Sequence, residues 1–146
     1  LYNYSGEPWK TQYWVRETMN RLYQPTPDGY CGDEDNGQTS AWYIFSALGF
    51  YRVTPATDQY VLGAPLFKKA TIHLENGKTI EIKADNNSDE SRYVNSLKFN
   101  GKKYSKNWLS HTELTKGATL KFDMISQPNK ERGTHEKDFP YSYSKD

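Results

Sequence analysis

Asp28 and the run Asp33-Glu34-Asp35 form the densest acidic cluster in the chain. Asp33 and Asp35 are two apart, in a turn-rich loop that runs into the start of a helical pattern. Free backbone N–H groups and the helix dipole favour ionised carboxylates there. An ionised carboxylate can take a proton from water as a general base. Asp33 and Asp35 are therefore the candidate catalytic residues. A plainer reading also fits: Asp35 or Asn36 caps the helix and the rest are solvated. Such caps are common, and spacing alone favours them.

Other chemistry has weaker footing. Asp33-x-Asp35-x-Gly37 resembles the start of an EF-hand loop, but its glycine is one place early. The twelfth position would be Ile44 where a bidentate Glu belongs, so that motif is rejected. His73, His111 and His135 show no metal-ligand spacing. His73 falls at a polar position of an alternating strand and reads as exposed. His111 follows Trp108-Leu109-Ser110 and reads as a structural hydrogen-bonding residue, since no nucleophile pattern accompanies it. Cys31 has no recognisable His or Asn partner and reads as inert. Trp9 and Trp14 could stack on sugar rings, but tryptophan at helical spacing more often packs a core.

The elements that must position the acidic loop are two helices. Ser5 and Gly6 can cap the first, Glu7 suits its positive end, and Pro8 fits its first turn. Trp9 to Tyr23 runs without Gly or Pro, with Val15, Met19 and Leu22 at helical spacing and Trp14 beside them. Pro25 and Pro27 end it. After the loop a second helix spans Gln38 to Leu48. Ala41, Ile44, Phe45 and Leu48 give one face, and Gly49 is a natural stop. Such an αα-hairpin buries little alone and implies further helical partners.

From Thr54 the period changes to two. Lys69 to Glu75 and Thr79 to Lys83 flank Asn76-Gly77, a strong hairpin signal. Tyr93 to Phe99 and Thr119 to Met124 read as strands, and Asn100-Gly101 turns to a short return near Tyr104. The expected fold class is α+β: a helical hairpin followed by an antiparallel β-sandwich-like module of five to seven strands. The division expected is helices and acidic loop over 1–53, the β module over 54–128, and a loosely ordered polar tail over 129–146.

Composition narrows the function classes. The chain has 146 residues, 19 basic and 18 acidic side chains and a net charge of +1, which argues against an electrostatic nucleic-acid binder. Aliphatic residues are sparse, but 15% of residues are aromatic and supply the area for a core. No apolar run approaches the roughly 18 residues that span a bilayer. One cysteine excludes an internal disulfide framework and a multi-Cys zinc site. The opening at Leu1, with no Met and no signal peptide, looks like a cut through a longer protein.

The stretch Gly29-Tyr30-Cys31-Gly32-Asp33-Glu34-Asp35-Asn36-Gly37-Gln38-Thr39-Ser40-Ala41-Trp42-Tyr43, continuing through Ile44 to Tyr51, closely resembles glycoside hydrolase family 92, the calcium-dependent α-mannosidases. Three further stretches agree in the family's order. They are Gly6-Glu7-Pro8-Trp9-Lys10-Thr11-Gln12, Tyr60-Val61-Leu62-Gly63-Ala64-Pro65-Leu66-Phe67, and Asn100-Gly101-Lys102 followed by Trp108-Leu109-Ser110-His111. The resemblance implies an N-terminal β-sandwich and a catalytic (α/α)6 barrel, whose last helices would lie in residues 1–53. It implies inverting removal of terminal α-linked mannose from glycans, with Ca2+ as cofactor binding the mannose hydroxyls. It places the general base at Asp33 and Asp35 and the general acid at a Glu upstream of Leu1. It implies a periplasmic, secreted or cell-surface location in bacteria.

Inverting hydrolysis needs one carboxylate to activate water and another, of raised pKa, to protonate the leaving oxygen. Glu7 is the nearest in-chain candidate for the acid, but the start of the helix already accounts for it. Taken alone the segment is expected to be inactive. Trp14, Val15, Leu22, Phe45 and Leu48 are expected to lie exposed and to promote self-association. Two other classes stay open: a non-catalytic carbohydrate-binding module, and a structural interaction domain with no affinity for sugar or calcium.

Overall fold

A computed structural model describes residues 1–145 of the chain. A 3-10 turn at Tyr2–Tyr4 leads into helix α1 (Pro8–Leu22). Pro8 takes the first helical position, where its missing N–H costs nothing. Neither Ser5 nor Gly6 caps α1: Glu7 is the N-cap residue, and it makes no side-chain cap bond. Its carboxylate instead pairs with Lys10 one turn on, at 2.6 Å. Helix α2 (Gln38–Leu48) ends at Gly49, whose left-handed φ of +95° lets its N–H reach the Phe45 and Ser46 carbonyls. A Cβ on Gly49 would also sit 2.9 Å from the Pro65 nitrogen, so both the turn and the close approach require glycine.

Strand β1 (Phe50–Tyr51) follows α2 directly and pairs antiparallel with β2 (Gln59–Leu62). The sheet therefore begins before the division expected at residue 54. Strands β3 (Lys69–His73) and β4 (Thr79–Lys83) form the hairpin expected at Asn76-Gly77. Strands β5 (Tyr93–Phe99) and β6 (Lys102–Lys103) form the second, at Asn100-Gly101. Strand β7 (Trp108–Ser110), one-turn helix α3 (His111–Leu114) and strand β8 (Ala118–Ile125) complete the module.

The strands make two sheets, ordered β1-β2-β7 and β3-β4-β8-β5-β6. The module is not wholly antiparallel, because β8 runs parallel to β4 and antiparallel to β5. The reason is topological. β8 occupies the slot between two strands that run in opposite directions, so it must be parallel to one of them. It is also the best-buried strand, with Ala118, Leu120, Phe122 and Met124 inward in strict alternation. They meet Ile80, Ile82, Val94, Leu97 and Leu109 in the main core. Each such side chain contributes about 1.5–3 kcal/mol of burial.

Helix α1 docks on this module through polar groups. Its buried face is Pro8, Gln12, Arg16 and Met19, while Trp14 is 52% and Leu22 48% exposed. Of Val15, Met19 and Leu22 at helical spacing only Met19 is buried and Val15 is half-buried, while Trp14 and Leu22 lie exposed as expected of the segment alone, so the core-packing reading of Trp14 does not hold within it. Gln12 Oε1 accepts from the Val94 N–H at 2.9 Å, extending the edge of β5. Arg16 donates to the Pro65 carbonyl at 2.7 Å and to Asn87 Oδ1 at 3.1 Å. Glu17 pairs with Arg92 at 2.6 Å and Arg21 at 2.7 Å.

On α2, Phe45 and Leu48 pack against the β core instead of lying exposed, whereas Ile44 is 56% exposed. Of the apolar side chains expected to lie exposed on the helices, Trp14 and Leu22 do, and Ile44 joins them.

The segment after β8 is not a loose tail. Asn129 donates to the Asn95 carbonyl at 3.1 Å. Asn107 donates to the Gly133 carbonyl at 2.6 Å and accepts from Arg132 at 3.1 Å. Asp138 is buried, accepts from Ser105, and through its carbonyl from the Asn107 N–H. Asn107 also ties in the N-terminus, since Asn3 donates to the carbonyls of Leu62 and Asn107. The polarity that reads as disorder instead serves as hydrogen bonding to backbone. No helix among the described residues is long and apolar enough to cross a membrane.

Candidate active site

The acidic loop hangs between α1 and α2. The chain leaves α1 extended at Tyr23, then turns back, the Gln24 N–H donating to the Gly29 carbonyl at 2.9 Å. Asp28 lies exposed in that turn. An aromatic group closes the base of the loop: Tyr23 stacks on Trp42 with ring centroids 5.5 Å apart and touches Tyr30 and Tyr43.

Asp35, Asn36 and Gly37 follow with φ of 56°, 58° and 94°. Three consecutive left-handed residues demand types that tolerate the region, and Asp, Asn and Gly are those types. The cap expected from Asp35 or Asn36 is absent. Gly37 is the N-cap and has no side chain to offer. Glu34 does the work instead. One carboxylate oxygen accepts from the Gly37 N–H and the other from the Ser40 N–H at 2.9 Å. Bonds from Ser40 and Gly37 hold the Glu34 carboxyl below the usual carboxylate range. The Thr39 hydroxyl donates to the Asp33 carbonyl at 3.1 Å.

Asp33 and Asp35, the residues on either side of Glu34, are exposed, and among the described residues their carboxylates have no partner. Glu34 alone of the three is half-buried. Sequence reasoning missed this division of labour, because a Glu three places before the N-cap glycine belongs to no familiar capping pattern.

Beside the loop lies a cleft of about 400 Å³ lined by Tyr23, Gln24, Pro25, Tyr30, Ser40, Tyr43 and Ile44. Tyr30 and Ser40 share a hydrogen bond of 2.6 Å across its mouth. Burial raises the Tyr23 phenol pKa, and nearby Cys31 adds to the effect. Cys31 itself is exposed.

Among the described residues no three His, Cys, Asp or Glu side chains gather to hold a metal ion. Both Glu34 oxygens are already engaged by backbone amides. His111 has the structural bond expected of it, its Nδ1 lying 3.0 Å from the Tyr60 hydroxyl. His73 and His135 are exposed and far from the loop in sequence.

Known proteins give this geometry a context. The family model described as the glycosyl hydrolase family 92 catalytic domain matches residues 1–126. The solved structure of a family GH92 inverting mannosidase from Bacteroides thetaiotaomicron is 52% identical over 98% of the chain, with a TM-score of 0.92. A GH92 α-mannosidase of the same organism, solved in complex with mannoimidazole, is 43% identical over 97%, with a TM-score of 0.94. A curated protein from Arthroderma benhamiae, named an uncharacterized secreted glycosidase, is 27% identical over 145 residues. The chain spans 19% of the length of each of these relatives.

Proposed function

The chain belongs to glycosyl hydrolase family 92, and from that premise we propose that it is the general-base segment of an inverting, calcium-dependent exo-α-mannosidase acting on glycans. The observation that carries the reading is the Asp33-Glu34-Asp35 loop. It leaves two carboxylates open to solvent while the third is spent on the helix.

In the proposed reaction, one of Asp33 and Asp35 takes a proton from a water as that water attacks the anomeric carbon. A carboxylic acid from the remainder of the protein gives a proton to the leaving glycosidic oxygen. The C–O bond breaks, and the sugar leaves with inverted configuration. Calcium belongs to the whole enzyme in this reading. The neighbours' names support mannosides as substrates, and the secreted relative supports a location outside the cytoplasm.

The test is turnover of the full-length protein on an aryl α-mannoside. Asp33→Asn and Asp35→Asn should each lower kcat by about two orders of magnitude or more without unfolding the protein. Near-normal turnover in both variants would remove the base assignment. A non-catalytic carbohydrate-binding module is the alternative; it would bind mannosides with no turnover in any variant.

A further inference from the structure

We propose that Glu34 is a positioning residue for the reaction, holding Asp33 and Asp35 in place by anchoring the loop to α2. The inference rests on the base assignment just given. A backbone with three successive left-handed residues is costly, and it persists only where its surroundings over-determine it. Here Glu34 supplies much of that determination, because its two oxygens grip the Gly37 and Ser40 N–H groups from opposite ends of the helix entry. The Ser40 side chain carries the grip outward to Tyr30, and Tyr30 rests on Tyr23 at the end of α1. The loop is thereby tied to both helices through one carboxylate. The Thr39 hydroxyl on the Asp33 carbonyl and the Gln38 N–H on the Asp35 carbonyl add backbone ties to the same helix entry, and Glu34 is the side chain that fixes the residues between them. Small displacements of a catalytic group are expensive in rate.

Two substitutions in the full-length enzyme test this role. Glu34→Gln leaves one amide facing a donor. The expected result is a kcat about 10- to 100-fold lower with KM within about twofold. Glu34→Asp keeps the carboxylate but retracts it by one methylene. It should lower kcat with KM held. A role in folding alone would reduce the active fraction while leaving kcat per folded enzyme at the wild-type value, and that result overturns the proposal. If Glu34→Gln fails to fold, Glu34→Asp decides: wild-type kcat in a folded Glu34→Asp enzyme also overturns it. Asp33→Asn and Asp35→Asn are run in parallel. If they retain turnover, the base reading has failed and the proposal falls with it. If they lose it while both Glu34 variants keep wild-type kcat, only the positioning role is wrong.

Discussion

Asp33, Glu34 and Asp35 are neighbours of like charge with different fates, and backbone geometry decides which is which. Glu34 reaches the amides of α2, so its carboxyl is held below the usual range. A carboxyl depressed in the folded state adds stability above its unfolded pKa of about 4.3, and that stability is lost as pH falls through the folded value. The entry to α2 should therefore loosen in acid. Amide exchange of Gly37 and Ser40, followed from pH 6 to pH 3 in the full-length protein, should accelerate beyond its intrinsic pH dependence, and Glu34→Gln should abolish that excess. Exchange that shows no excess in the native chain would mean the carboxylate does not cap. Gly49 offers a second test. Gly49→Ala should destabilise by about 1–3 kcal/mol, read as a lowered denaturant midpoint, because φ of +95° and the Pro65 backbone both oppose a Cβ. An unchanged midpoint would show that the helix end can relax.

Among the elements, those with strong local signals were legible in advance. The Asn76-Gly77 and Asn100-Gly101 hairpins and the strands around them follow from turn chemistry and alternation. Strands β1, β2 and β7 were not legible, being short and defined by partners far along the chain. Helix α1 shows how a periodic pattern can mislead. Its surroundings on the module are carbonyls, an amide and an asparagine side chain, so the buried face is Gln12 and Arg16 while Trp14 and Leu22 turn outward. Spacing of apolar residues cannot report a polar dock. Within the acidic cluster, the sequence motif singles out Asp33 and Asp35, but only the backbone geometry separates Glu34 from them. Arg16→Ala should cost roughly 2–4 kcal/mol, since it strands two buried acceptors. A urea midpoint close to wild type would mean that water replaces the guanidinium. Asn107→Ala should raise amide exchange across residues 129–138 while β8 stays protected, because Asn107 grips both Gly133 and Arg132. Equal exchange in the two proteins would return those residues to the status of a passive tail.

At the scale of the whole molecule, helices and β module behave as one body. α2 passes into β1 through Gly49 alone, α1 is bonded to β5, and the segment after β8 returns to Asn107, just before β7. The loop is thus presented on a firm base, with Asp33 and Asp35 exposed. The chain spans 19% of its relatives' length, and the proposed acid is assigned to the remainder of the protein. Chelation should abolish turnover of the intact enzyme, with recovery on adding Ca2+, and should leave amide protection of β8 unchanged. The central claim is an inverting α-mannosidase reaction, and the most direct measurement is the anomer of mannose first released. A proton NMR time course of the intact enzyme on an aryl α-mannoside should show β-mannose appearing first, with α-mannose growing in later by mutarotation. First-formed α-mannose, or no mannose at all, would contradict the account.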